Sequence, residues 1–378
     1  MARSVIRSSF PAALRSRRGW FAAPAVIGAL AALALAALAA PSAVAQVPAT
    51  GKPKVIATIK LSLIPSAVAI GPRTGTVYIA SYLDRQPPEG TITVVNGRTR
   101  KVITTIVDDH RPTGAAVSPL TSDVYIANQG DTYPPNGIQS GGLWVISGKT
   151  NKVIATVADV TSASAVTVSP KTGDVYALAS GPKASGVLVI SAKTNKIITA
   201  VPDPDDAAAV AVSPLTGNVY VLNSGVSGSS VWVVSGKTNK VIAKIAVASD
   251  AAAVAVSPLT GNIYVTSSTW VRPDGNPQLG RIQVINAKTN KVIITIQDGN
   301  SPWGVAFSPR SGDPYIANQG WGENATSYPG NVSLLNPKTN KVIGSITDLD
   351  FPTGLAVSPQ TGDAYVDNSN ETVWVVSP

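Results

Sequence analysis

One pattern recurs seven times along this chain and limits its fold more than any other feature. A KVIATI-like run is followed by an AVAVSP-like run, then VY(I/V)xN, then a V(W)VIS-like run, then KTN. The lysine that opens each copy stands at Lys54, Lys101, Lys152, Lys196, Lys240, Lys291 and Lys341, so successive copies are 44 to 51 residues apart. That is close to the 40–50 residues, roughly, of one propeller blade. Each copy supplies four β-rich runs separated by Gly, Pro, Asn and Ser. The pattern predicts an all-β, seven-bladed β-propeller over residues 53–378, with four antiparallel strands per blade.

The turns explain where the strands break. SPxTGxVY puts Pro and Gly where a tight hairpin needs a fixed and a positive φ. KTNK supplies a polar turn whose Asn can adopt the left-handed conformation. Blade two carries Ser122 in place of the turn Gly, and Pro314 of blade six belongs at the start of its strand. Runs such as Val210–Val212 and Val231–Val234 are continuously apolar, which a strand can be only when both faces are buried. KVIATI is more mixed, as an outermost strand requires.

The ends of the repeat predict how the ring closes. The array begins with an outermost-type strand, Val55–Ile59, and stops at a third-type strand, Val373–Ser377. Pairing the two completes the last blade and removes an exposed edge.

Residues 1–45 read as a signal peptide, and 46–52 as a short linker. A basic stretch is followed by an apolar run from Phe21 to Ala40 and by Ala43, Val44 and Ala45. This is an A-x-A pattern that places cleavage at Ala45–Gln46. The run is long enough to span a bilayer, but it is mostly weakly hydrophobic Ala, so cleavage is the expectation. After cleavage no stable membrane insertion is expected. Ser16, Arg17, Arg18, Gly19, Trp20 and Phe21 resemble a twin-arginine signal, which would mean export after folding. The chain is expected to be secreted, either extracellular or periplasmic.

Charge adds little to this. The formal +9 includes five arginines of the first 45 residues; without them 25 basic residues face 21 acidic ones. Cys is absent, which excludes disulfides and thiolate metal sites, and His110 is the one histidine.

VYIAN at Val124–Asn128, VYVLN at Val219–Asn223 and IYVTS at Ile263–Ser267, each after an SPxTG-like turn, resemble the YVTN β-propeller repeat. The match covers essentially all of residues 53–378. It is also similar to the YncE-like exported bacterial propellers and to propeller domains of surface-layer proteins. The resemblance implies a secreted or cell-surface protein and brings no catalytic motif with it.

Variation between copies is concentrated on one face. The first-to-second and third-to-fourth turns share one face and are nearly constant. The second-to-third turns and the blade connections share the other and vary, as binding insertions in repeat proteins do. Long excursions occur at Tyr82–Gly90, Gln129–Gly141, Ser268–Gly280 and Gln319–Gly330. They would raise the rim of an axial mouth over blades five, six, seven, one and two. Candidate ligand-binding residues there are Asp109, His110, Arg111, Gln129, Asp131, Trp270, Arg272, Trp303, Gln319, Trp321 and Glu323, with Asp84, Arg85, Glu89, Tyr133, Asp274 and Tyr328 beside them. Aromatics among amides and carboxylates suit a glycan or a peptide; the same rings would also serve to staple long loops down.

Asp108, Asp159, Asp203, Asp298 and Asp348 each lie seven residues after an opening lysine. Recurrence with the repeat favours a structural role, Asp bonding its own backbone at a connection. Asp108, Asp109 and His110 are weak candidates for holding Ca²⁺ or Mg²⁺, and no cofactor is otherwise implied. The KTNK lysines make the opposite face basic, but a polar turn explains them, so nucleic acid is disfavoured as a partner. The expectation is a monomeric, noncatalytic binding propeller. The alternative is a lactonase-like hydrolase or a lyase at the same mouth, against which stand the single His and only three Glu.

Overall fold

The computed structural model describes residues 29–30, 53–84, 89–130, 141–202, 207–225, 228–268, 270–271, 277–278, 280–297, 301–320 and 329–378. The strands form seven four-stranded antiparallel meanders, one per repeat. Blade one comprises Ile64–Ile70, Thr76–Leu83, Glu89–Asn96 and Val102–Asp108, from the axis outward. Blades two to six repeat this order. The innermost strand of each blade lies against that of the next, and the seventh returns to the first. The ring is therefore closed.

Closure is made as the ends of the repeat require. Lys54–Lys60 pairs antiparallel with Thr372–Ser377, from Lys54 opposite Ser377 to Lys60 opposite Thr372. The N-terminal strand becomes the outer strand of blade seven, and Ile59 enters a core shared with Val68, Ile70, Val373 and Val375. A two-residue strand, Ala29–Leu30, runs parallel to Gly114–Ala115 and lies against all seven innermost strands. It takes no part in the closure.

Burial follows the radial position of each strand. Ala207–Val212 is buried nearly throughout, whereas Lys291–Gln297 alternates between exposed and half-buried positions. Pro314 opens its strand, where its missing N–H costs no ladder bond. The third-to-fourth turns place Asn151, Asn195, Asn239, Asn290 and Asn340 at positive φ, and Ser122 sits at φ 69° in place of the turn glycine.

Two sets of contacts tie each blade to the next. The repeat tyrosines Tyr78, Tyr125, Tyr176, Tyr220, Tyr264, Tyr315 and Tyr365 are all buried. Where their hydroxyls bond, they reach the third-to-fourth turn of the following blade. Tyr78 donates to Asn151 Oδ1 at 3.2 Å, Tyr264 to Asn340 Oδ1 at 2.5 Å, and Tyr365 crosses the closure to the Gly97 carbonyl at 2.8 Å. The variable residue of SPxTG supplies the second set. Arg73 donates to the Leu120 carbonyl at 2.9 Å, Lys171 to the Leu215 carbonyl, and Gln360 to the Pro72 carbonyl at 2.7 Å. Leu120, Leu215 and Leu259 instead pack against the turn glycine of the next blade. The residue at this position changes chemically from copy to copy, yet each contact spans the same gap.

Candidate functional site

The mouth is shaped by a defect repeated in every blade. Each innermost strand carries a β-bulge at the same place, so Ser66, Thr113, Ser164, Ala208, Ala252, Trp303 and Thr353 fall out of register with their partner strands. A bulge bends the strand and re-aims the extra residue. Several of these residues stitch the rim together. Ser66 Oγ donates to the Pro112 carbonyl of the next blade at 2.6 Å, and Thr113 Oγ1 to the Ser164 carbonyl at 3.0 Å. Thr266 Oγ1 donates to the carbonyl of Trp303, the one aromatic residue at a bulge, at 3.0 Å.

The described candidates fall into two groups. The first lies at the junction of blades one and two. Asp108 ends the outer strand of blade one and is fully buried. Its Oδ1 accepts from the His110 backbone N–H at 3.0 Å and lies 3.0 Å from His110 Nδ1. The first bond is the Asx geometry that starts a connection; the second fixes the imidazole, with Nδ1 held against the carboxylate. The His110 ring meets the Trp144 ring edge-on, at a centroid distance of 5.5 Å. Next to it, the Arg111 guanidinium lies 5.1 Å from the Tyr82 ring centroid and 3.5 Å from Asp84 Oδ2. Asp109 is exposed.

Local backbone crowding holds this junction in place. A Cβ at Gly90 would lie 2.4 Å from the His110 carbonyl oxygen and 2.6 Å from Pro112 Cδ, so only glycine lets the strand pass there. The Arg111 carbonyl accepts from Gln129 N–H at 2.9 Å, and the Gln129 carbonyl accepts from Ser162 Oγ at 2.7 Å. Gln129 itself is exposed.

The second group belongs to blades five and six. Trp303 and Gln319 are half-buried, and Gln319 N–H donates to the Ser301 carbonyl at 2.9 Å. Trp270 lies in a two-residue strand paired with Pro277–Gln278. Asp131, Arg272, Trp321 and Glu323 lie outside the described residues, as do Arg85, Tyr133, Asp274 and Tyr328. The raised rim depends on those excursions and also lies outside them. Among the described residues no group of three His, Asp or Glu side chains is placed to hold a metal ion. Asp108 and His110 face each other, while Asp109 is turned to solvent.

Trp144 was not among the residues singled out in the sequence. It sits in a V(W)VIS-like run that reads as core, and only the blade packing brings it to His110. Asp367 was missed for a different reason, although the repeat carries a signal. It stands where other copies have Ala80, Ala127, Leu178, Leu222, Thr266 and Ala317. Its carboxylate is buried, and Oδ1 accepts from Thr353 Oγ1 at 2.9 Å and from the Gly354 N–H. A Cβ on Gly354 would come within 2.7 Å of Oδ2.

Burial raises the Asp367 pKa to about 6, against the hydrogen bonds from Thr353 and Gly354, which lower it. The sign follows from linkage. The contribution of this group is fully present below the unfolded pKa and is lost as pH rises through the folded one. Stability should therefore fall by up to about 3 kcal/mol between pH 4 and 6 on account of this group. Asp367→Asn keeps an acceptor for both donors without the charge. It is expected to flatten that slope and raise the neutral-pH melting temperature in thermal denaturation. A variant less stable than the parent at neutral pH would count against the buried-charge account.

Fold and site together define a seven-bladed β-propeller with a polar junction on its variable-loop face. No family model matches the chain, and no curated protein sequence matches it. Solved structures with this fold do match. One is Kuenenia stuttgartiensis hydrazine synthase, with a TM-score of 0.67 at 17% identity, covering 85% of this chain and 97% of that one. At that identity the likeness shows the fold alone.

Proposed function

We propose that the protein is an exported, noncatalytic binding propeller of the YVTN kind, acting outside the cytoplasm or at the cell surface. Its ligand site is the junction of blades one and two on the variable-loop face. One observation carries this reading. Asp108 Oδ2 and Arg111 Nε are buried polar atoms without a hydrogen-bond partner among the described residues, on either side of His110 in the chain. Buried polar atoms in folded proteins nearly always have partners. An acceptor and a donor left over at this junction, beside the half-buried Trp144, suit a glycan or peptide that stacks on a ring and hydrogen-bonds. Export rests on the N-terminal sequence. Cleavage after Ala45 would remove Ala29–Leu30 and leave the closing strand Lys54–Lys60 in place.

The test is binding of the secreted chain to glycan and oligopeptide arrays. His110→Ala and Arg111→Ala should each weaken the strongest signal by about ten-fold or more. Lys193→Gln, on the opposite face, should not change it. Binding indifferent to His110 and Arg111 would remove the site.

A second reading rests on the Asp108–His110 contact. A carboxylate at Nδ1 holds an imidazole in the orientation a general base needs. Hydrolysis of a lactone or ester panel, abolished in His110→Ala, would favour the lactonase-like alternative over simple binding.

A further inference from the structure

Topology sorts the charges of this chain by face. The outer strands of blades one to six begin at a third-to-fourth turn; all seven outer strands have a lysine at or just before the first residue and run toward the mouth. Seventeen lysines and arginines of the described residues stand on the two sets of constant turns and the adjoining strand starts. Only four carboxylates share that face, Asp123, Asp174, Asp313 and Asp363. Asp363 is buried and bound to Arg100 at 3.2 Å. Among the described residues of the mouth face the balance reverses: Asp84, Glu89, Asp109, Asp159, Asp250, Asp350 and Glu371 are exposed or half-exposed there, against Lys60, Arg111, Lys183 and Arg281. The modest net charge therefore conceals a disc with one strongly basic and one weakly acidic side.

A polar turn needs hydrophilic residues, but it does not need the same sign in every blade. The KTNK lysines are exposed in blades two to six, two per turn. They are point charges spread around a ring. A plane of negative charge meets many of them at once, whereas a single small anion meets one pair. The same face carries two half-exposed leucines in adjacent blades, Leu215 at 47% and Leu259 at 49% exposure.

We propose that the turn face docks the ring flat on a bilayer surface rich in anionic phospholipid. The lysines meet the headgroups, and Leu215 and Leu259 enter the interface. Each lysine near such a surface contributes about 1 kcal/mol, so a few per side suffice to hold the disc. The carboxylates of the mouth face are repelled by the same surface, which sets the orientation. Docked this way, the mouth is turned toward solvent. The proposal uses the opposite face from the ligand site and stands independently of it.

The test is flotation of the purified chain, without residues 1–45, on vesicles. Phosphatidylcholine containing about one-third phosphatidylglycerol is compared with phosphatidylcholine alone. Retention is expected on the anionic vesicles only, and to fall as salt is raised. The triple variant Lys193→Gln, Lys237→Gln, Lys288→Gln should lower the partition at least about ten-fold, with near-UV circular dichroism unchanged. Arg111→Ala, which alters the mouth, should float like the parent. Equal retention on neutral and anionic vesicles would overturn the proposal, as would full retention of the triple variant. So would capture by soluble inorganic polyphosphate with no retention on the anionic vesicles.

Discussion

A chain lacking residues 46–60 should lose its cooperative unfolding transition and become aggregation-prone. The deleted segment contains Lys54–Lys60, which among the described residues pairs with the outer edge of Thr372–Ser377. Its removal takes away a ladder of hydrogen bonds at about 1 kcal/mol each. It also takes away the buried Ile59, worth about 2–5 kcal/mol as a core aliphatic. Together these are comparable with the roughly 5–15 kcal/mol that holds a folded domain. The other contacts across the gap are the packing of the innermost strands and single bonds such as Tyr365 to Gly97, Gln360 to Pro72 and Arg100 to Asp363, none of which pairs the edge of Thr372–Ser377. An exposed apolar edge is also a template for pairing with another chain. Differential scanning calorimetry decides the matter. A truncated chain that melts as sharply as the parent, at the same temperature, would falsify closure by this strand.

Alkali should open the ring between pH 10 and 12. Burial pushes the pKa of Tyr78, Tyr125, Tyr176, Tyr264 and Tyr365 up to about 12, and raises those of Tyr220 and Tyr315 as well. For a group whose folded pKa is raised, the stabilising contribution is complete below the unfolded value, here 10, and disappears as pH rises through the folded value. Each pH unit of such a shift corresponds to about 1.4 kcal/mol. A few tyrosines ionising in place would exceed the whole stability of a domain, so the ring should unfold before they titrate. Tyrosinate absorbance should appear in two steps. Of the ten tyrosines, the seven repeat residues should ionise abruptly, together with the loss of β-sheet circular dichroism. A single smooth titration of all ten near pH 10, with the sheets intact, would contradict the burial.

These tyrosines show what the repeat made readable. As the second residue of VY(I/V)xN, Tyr alternates with positions on the other side of the strand, and recurrence in every copy marks it as core. What could not be read is that its hydroxyl serves the next blade. Asn151 lies 73 residues from Tyr78, and no local pattern joins the two. The same holds for the variable residue of SPxTG. Arg73, Leu120, Lys171 and Gln360 look unrelated in sequence, because what they share is a gap to bridge rather than a chemistry.

The candidate site divides in a similar way. His110 stood out because it breaks the repeat and is the single histidine. Asp108 was visible as the recurring acid whose side chain bonds its own connection, which is a local interaction. Trp144 was invisible, since its run reads as buried strand and its contact with His110 exists only when blades one and two are packed. Trp303 and Gln319 were grouped with His110 by face, yet their own contacts run within blades five and six.

Sequence alone determined the number of blades, their strand order, the closing strand and the turn conformations. Each of these depends on periodicity, on Pro, Gly and Asn backbone preferences, or on counting strands at the two ends. Tertiary structure decided which side chains meet between blades and where the bulges put them at the mouth. The reason is physical. Backbone preferences act over a few residues, whereas contacts between blades join residues tens or hundreds apart, and only closing the ring brings them together.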